Sequence, residues 1–275
     1  MLEVRSSKTP ATLRTSHVEL RASPCHELVG RVALVTGASR GLGAAMAKAL
    51  ADAGASVILW AKHLERLKRV ERAIRAVGRP ALSQRVDVTD RRAVRRAVTA
   101  ALRRFHRIDI LVNNAGIWDG DPFVRLAPAT WARVLETDLT SLVSVSQAVV
   151  PSMMRRRDGT VINISSTSGL LVHPEGAAYG AAKAAVIHLT RIMAVELGPS
   201  GIRVNAIAPG TFRTDMTADV FADRAWISRR RRRIPLRRFG EPDDLDGLVV
   251  FLASRASDYL TGQTLVIDGG ASLVS

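Results

Sequence analysis

The chain has 275 residues, 47% apolar and 24% charged, a globular balance that fits one large α/β domain or two small ones. Forty Lys plus Arg against 25 Asp plus Glu leave a net charge of +15, nearly all of it arginine, which predicts attraction to anionic ligands and acidic protein surfaces. No apolar run is long enough to span a bilayer, and a single cysteine, Cys25, excludes an intrachain disulfide and a multi-cysteine metal site, so no metal is expected.

Residues 1–28 are polar, rich in Ser, Thr and Arg, and carry Pro10 and Pro24 without an apolar period; they read as a flexible extension. Glu3, Glu19 and Glu27 argue against a transit peptide, and no apolar core supports a secretory signal, so a cytoplasmic location is expected. The remainder, 29–275, reads as one domain. Short β-branched runs stand at 32–36, 56–60, 83–88, 109–114, 160–165, 202–208 and 264–268. Stretches with apolar residues three and four apart separate most of them, at 44–54, 64–77, 91–104 and 131–150. Such alternation implies right-handed crossovers and a parallel sheet covered on both faces, hence a doubly wound, Rossmann-type α/β fold.

The first strand, "VALVT", runs into "TGASRGLG" (36–43) and then an Ala-rich helix. A glycine-rich turn from strand to helix lets a diphosphate approach the backbone at the helix N-terminus, where free N–H groups favour anions. The spacing Gly37-x-x-x-Gly41-x-Gly43 differs from the G-x-G-x-x-G fingerprint, so the position after the first strand carries the argument. A site for NAD would place a carboxylate about 20 residues on, at the end of the second strand. Ala61 stands there instead, followed by Lys62, and Arg40 lies within the turn. Two cations and no acid favour the 2′-phosphate of NADP(H) over NAD(H). Asp87, at the end of the third strand, is placed to accept from the adenine amino group, with Val88 beside it.

Further along come "NNAG" (113–116), Ser166, "YGAAK" (179–183) and "PGTFRTDM" (209–216), then "RFGEPDDL" (238–245) and "FLASRASDYLTGQTLVIDGG" (251–270). With the glycine turn and "DVTD" (87–90), these resemble the short-chain dehydrogenase/reductase family from about residue 29 to 270. The C-terminal third is similar to both 3-oxoacyl carrier-protein reductases and gluconate 5-dehydrogenase-like enzymes. The resemblance implies a seven-stranded parallel sheet and hydride transfer between nicotinamide and a carbonyl or secondary alcohol. It implies cofactor contacts at Gly37, Ser39, Arg40, Gly41, Leu42, Gly43, Lys62, Asp87, Val88, Asn114, Ala115, Gly116, Pro209, Gly210 and Thr214. It also implies a catalytic set of Ser166, Tyr179, Lys183 and Asp138, with Tyr179 and Lys183 touching the cofactor as well and the main-chain carbonyl of Asp138 supporting a water relay towards the lysine.

These roles make physical sense. Tyr179 and Lys183 are four residues apart, on one helix face. A phenol is a poor proton shuttle at neutral pH, and an ammonium beside it favours the phenolate. Ser166, thirteen residues earlier, is expected to hydrogen-bond and polarise the carbonyl oxygen. One position departs from the family: Asp138 stands where an asparagine is common, and a buried carboxylate there titrates abnormally or pairs with Lys183.

Substrate contacts are expected from 117–123, 167–176 and 211–235; Trp118, His173 and Arg213 read either as pocket lining or as structural or rim residues, with Arg213 in the first case available to a substrate carboxylate. The run "RRRRR" (229–233) reads as a solvated helix face or as a docking site for an acidic acyl-carrier protein. No aromatic platform accompanies it, so no specific nucleic-acid partner is expected, nor any membrane. The family resemblance implies a homotetramer packed through 131–156 and 176–197. The reading from another class is a catalytically weak NADP-binding redox sensor or scaffold, supported by Asp138 and the basic extension.

Overall fold

A computed structural model describes residues 27–118 and 120–274; the expected N-terminal extension lies outside them except for Glu27 and Leu28. Leu28 is already core, 1% exposed, with its N–H donating to the Ala53 carbonyl at 2.9 Å.

The described chain alternates strand and helix: β1 Val32–Thr36, α1 Gly41–Asp52, β2 Ser56–Ala61, α2 Leu64–Ala76, β3 Ala81–Arg85, α3 Arg91–Phe105 and β4 Ile110–Asn113. It continues with α4 Pro128–Leu135, α5 Ser141–Arg156, β5 Gly159–Ile164, α6 Ala177–Leu197, β6 Ile202–Pro209, α7 Arg224–Arg232, α8 Asp246–Ala253 and β7 Thr264–Ile267. The strands form one parallel sheet in the order β3-β2-β1-β4-β5-β6-β7. This is the expected seven-stranded doubly wound fold. β1, β4 and β5 are buried along their whole length because helices cover both faces. One core packs α1, α2 and α8 on one face, and the other packs α3, α5 and α6.

Two local expectations shift. The third strand is Ala81–Arg85 rather than 83–88; it is an edge strand with mostly half-buried side chains, so apolar content marks it poorly. Asp87 thereby falls on the loop after it. The helix expected over 131–150 starts at Pro128 and contains a π-turn at Glu136–Thr140 between α4 and α5. Such one-turn widenings change which side chain faces inward and often mark functional positions.

Strand order reverses between β1 and β4, and this type of sheet binds ligands in the crevice beyond the strand ends at that point. At the opposite edge, buried Asp109 fixes the same two strands. It accepts from the Val32 N–H at 2.9 Å and from the Arg107 and Arg156 guanidinium groups at 2.8 and 3.3 Å. The helix that follows each strand therefore starts from a rigid base.

Candidate active site

The crevice is built by the glycine turn and the "NNAG" loop locking onto each other. Thr36 Oγ1, at the end of β1, accepts from the backbone N–H groups of Asn114 and Ala115 at 2.9 and 3.0 Å. The Asn114 side-chain amide donates back to the Thr36 carbonyl at 3.0 Å. Gly37 sits at φ +66° and Gly41 at φ +53°, and a Cβ on Gly37 would lie 2.8 Å from Asn114 Nδ2. A Cβ on Gly43 would collide with both Asn114 and the Gly37 carbonyl. Only glycines permit this turn. Asn114, Ala115, Gly37 and Gly43 thus come together as expected, and Asn114 is committed to shaping the turn.

The N-terminus of α1 opens onto that crevice. Arg40 occupies the N-cap without a side-chain capping bond, and no acid stands in the first turn, so the helix end keeps its affinity for an anion. Thr214 reaches over from the loop after β6, with Cβ at 3.4 Å from where a Gly41 Cβ would be. Pro209 ends β6, and Gly210 donates to the Ile267 carbonyl at 2.9 Å with no room for a side chain beside Asp268. Leu42 packs partly buried against the first core and Val88 is buried in the second; Ser39 is half-buried in the turn. The turn, the uncapped helix end and Thr214 fit a dinucleotide's diphosphate.

The cations meet acids of the chain itself. Arg40 Nη1 lies 2.8 Å from Asp215 Oδ2, and Lys62 Nζ lies 3.0 Å from Asp87 Oδ2. A third cation, Arg66, also approaches Asp215, at 3.5 Å. Arg66 was not foreseen from the sequence; it stands in the first turn of α2, just after the strand end that carries Lys62. Asp87, the residue expected to face an adenine amino group, has partners within the chain on both oxygens and keeps further acceptor capacity. Thr89 donates to Oδ1 from its N–H at 3.1 Å and its hydroxyl at 2.8 Å, and Lys62 sits against Oδ2. Burial pushes its carboxyl up, but the bonds from Lys62 and Thr89 outweigh that and hold it below the ordinary carboxylate value.

Beyond the far end of the crevice, Lys183 is 4% exposed and its Nζ donates to the Ile164 carbonyl at 3.1 Å. The same nitrogen lies 5.3 Å from the centroid of the Tyr179 ring and 3.1 Å from Asp138 Oδ2. Ser165 Oγ donates to the Lys183 carbonyl at 2.8 Å, tying α6 to the end of β5. Beneath, a buried network joins β4, β5, α5 and α6: Asn113 to Asn163 at 2.9 Å and Ser146 at 3.0 Å, and Asn163 to Thr190 at 2.9 Å. Ser166 accepts from the Ser168 N–H at 3.1 Å, which leaves its hydroxyl proton free to donate.

Asp138 is 1% exposed and points from the π-turn towards Gly116 and Lys183. Its Oδ1 accepts from the Ile117 N–H at 2.8 Å, while Oδ2 faces Lys183 without a hydrogen bond of good geometry. Burial pushes the Asp138 carboxyl up, only partly offset by the Lys183 charge. Burial also disfavours the Lys183 ammonium, but the charges of Asp138 and Tyr179 overcome it and hold the lysine above its ordinary value. The lysine is charged, because the Asp138 carboxylate faces its Nζ and the Ile164 carbonyl accepts a bond from it.

The substrate side is walled by Trp118, whose ring meets Tyr179 edge to face at 5.1 Å and 74°. Asp121 and Gly176 form a parallel bridge that joins the loops after β4 and β5. Half-buried His173 stands on the second loop; burial, then the Arg230 charge, pushes it below its ordinary value. Arg213 takes a structural role. Its guanidinium pairs with Glu241 at 3.2 Å and lies over the rings of Phe221 and Phe239, at 4.4 and 5.4 Å, so it holds the loop after β6 to the segment before α8. Trp226 stacks on Phe239 at 5.9 Å and seats α7 there.

Comparison with known proteins agrees with this geometry. The family model described as enoyl-(acyl carrier protein) reductase matches residues 37–272. The chain is 40% identical to gluconate 5-dehydrogenase of Gluconobacter oxydans over 90% of its length and 96% of that enzyme's. It is 39% identical to a 3-oxoacyl-[acyl-carrier-protein] reductase of Chlamydia pneumoniae over 88% of its length and 97% of that enzyme's. Among solved structures, gluconate 5-dehydrogenase of Burkholderia cenocepacia, in complex with NADP and tartrate, superposes with a TM-score of 0.88 at 37% identity, covering 92% of this chain and 99% of that one.

Proposed function

The chain belongs to the short-chain dehydrogenase/reductase family and is an NADP-dependent oxidoreductase of CH–OH and C=O groups; we propose that its substrate is a sugar acid or a 3-oxoacyl thioester, with Tyr179 as the proton donor and acceptor. The observation that carries this reading is the buried Lys183 ammonium 5.3 Å from the Tyr179 ring.

The dinucleotide supplies or accepts the hydride when bound in the crevice beside Gly37, Gly41 and Thr214. Tyr179 gives its phenolic proton to the substrate oxygen in reduction and takes one in oxidation. Lys183 favours the phenolate that this leaves, and the Ile164 carbonyl aims its Nζ. Ser166 donates its free hydroxyl proton to the same substrate oxygen, polarising the carbonyl. Trp118 covers the edge of Tyr179 and restricts water there.

NADP(H) is preferred over NAD(H) in this reading because Lys62 and Arg66 follow β2, whose last residue is Ala61 rather than an acid, and Arg40 stands at the N-cap of α1 within reach of the same Asp215 as Arg66. The anionic end of the substrate is assigned to Arg230. It is a half-buried arginine of α7 whose charge reaches His173 and which itself feels the charge of Asp268. The gluconate 5-dehydrogenase and 3-oxoacyl carrier-protein reductase relatives bracket the two substrate classes. The test is NADPH and NADH oxidation against 5-ketogluconate, a 3-oxoacyl thioester and an uncharged aryl ketone. Turnover of an anionic or thioester carbonyl with NADPH well above NADH supports the reading; equal rates on every carbonyl, or preference for NADH, overturns it.

A further inference from the structure

One carboxylate oxygen bridges two arginines at the mouth of the crevice. Asp215 Oδ2 lies 2.8 Å from Arg40 Nη1 and 3.5 Å from Arg66 Nη1. The three residues come from separate elements: Arg40 from the N-cap of α1, Arg66 from the first turn of α2, and Asp215 from the short turn after Thr214. All three side chains are about half exposed, at 54, 46 and 52%, so the pairs add little to the stability of the fold. Exposed pairs of this kind are weak and exchange readily.

We infer that Asp215 occupies the seat of the cofactor's 2′-phosphate, and that this phosphate enters by taking Arg40 and Arg66 from it. The inference rests on the NADP(H) preference proposed above and adds to it a residue that sets its size. The chemistry of the exchange is direct. A phosphate monoester carries close to two negative charges and three acceptor oxygens, so it outcompetes a single carboxylate for two guanidinium forks. A ribose 2′-hydroxyl has no charge and cannot displace Asp215. Asp215 therefore acts against NADP(H) alone: it keeps the two arginines gathered, yet it weakens the phosphate's hold by competing for them. Lys62, held by Asp87 at 3.0 Å, stands beside this exchange with its own acid.

Binding measured by calorimetry, with NADPH and NADH each titrated into the full chain, tests the inference without relying on turnover. Asp215→Asn keeps the shape and removes the charge; it is expected to tighten NADPH by about tenfold, the scale of one charge-assisted hydrogen bond, and leave NADH unchanged. Arg66→Gln is expected to weaken NADPH by a similar factor, again without effect on NADH. Unfolding curves of both variants are expected to match the native chain, since the residues are exposed. An unchanged NADPH-to-NADH affinity ratio in Asp215→Asn, or a loss of NADPH affinity, overturns the inference while a native preference for NADPH survives. A native chain that binds both cofactors equally overturns the NADP(H) reading and this inference with it.

Discussion

Asp138 Oδ2 lies 3.1 Å from Lys183 Nζ, with both side chains buried, so the lysine beneath Tyr179 is held charged by a carboxylate of its own chain. An ammonium acts on the phenol through its field, so what keeps it protonated matters to the phenol. Asp138→Asn keeps the contact with the Ile117 N–H and removes the opposing charge. The Asp138 charge holds Lys183 above its ordinary value against burial, so its loss lets the ammonium give up its proton at lower pH. The basic limb of the pH profile for carbonyl reduction is expected to move to lower pH. An unchanged profile would mean that the pair acts only in packing.

Arg230→Gln tests the substrate end of the account. The KM for an oxo-acid substrate is expected to rise by about tenfold, the range of a charge-assisted bond. The KM for an uncharged ketone and kcat on both are expected to hold. A uniform rise on charged and uncharged carbonyls would point to a role in seating α7.

Stability has its own pH signature at Asp246, far from the crevice. Burial, with help from the Asp243 and Asp52 charges, raises its carboxyl to about 6. A carboxyl whose folded value is raised favours folding while protonated. That contribution is full at pH values below the ordinary 3.8 and is lost as pH climbs through about 6. At pH 7.5 the ionised group therefore opposes folding. Because it is partly exposed and screened, the expected relief in Asp246→Asn is about 1 kcal/mol, or a rise of about 2–4 °C in Tm at pH 7.5. Near pH 4 the melts of the two proteins should coincide.

The parallel sheet was legible because buried strands such as Val32–Thr36 and Gly159–Ile164 are apolar along their whole length. The edge strand Ala81–Arg85 was misplaced because half-buried side chains leave it no such run. The glycine turn was legible for a steric reason, since Gly37 and Gly43 have neighbours that no side chain fits beside. The π-turn at Glu136–Thr140 was hidden because helical spacing carries through a single widened turn. Contacts between distant side chains were the hardest to foresee. Arg213 read either as open to a substrate or as structural, because its neighbours Glu241, Phe221 and Phe239 come together only in the folded chain. Asp215 and Arg66 meet across three elements in the same way.

The central claim is that the Tyr179 hydroxyl moves the proton that accompanies hydride transfer. Its most direct test compares the native chain with Tyr179→Phe, measuring NADPH binding and single-turnover oxidation of NADPH with the best carbonyl of the panel. The account predicts native NADPH affinity with the rate of the chemical step down by about 10²–10⁴, the range of a lost general acid. A variant that turns over at the native rate would contradict it.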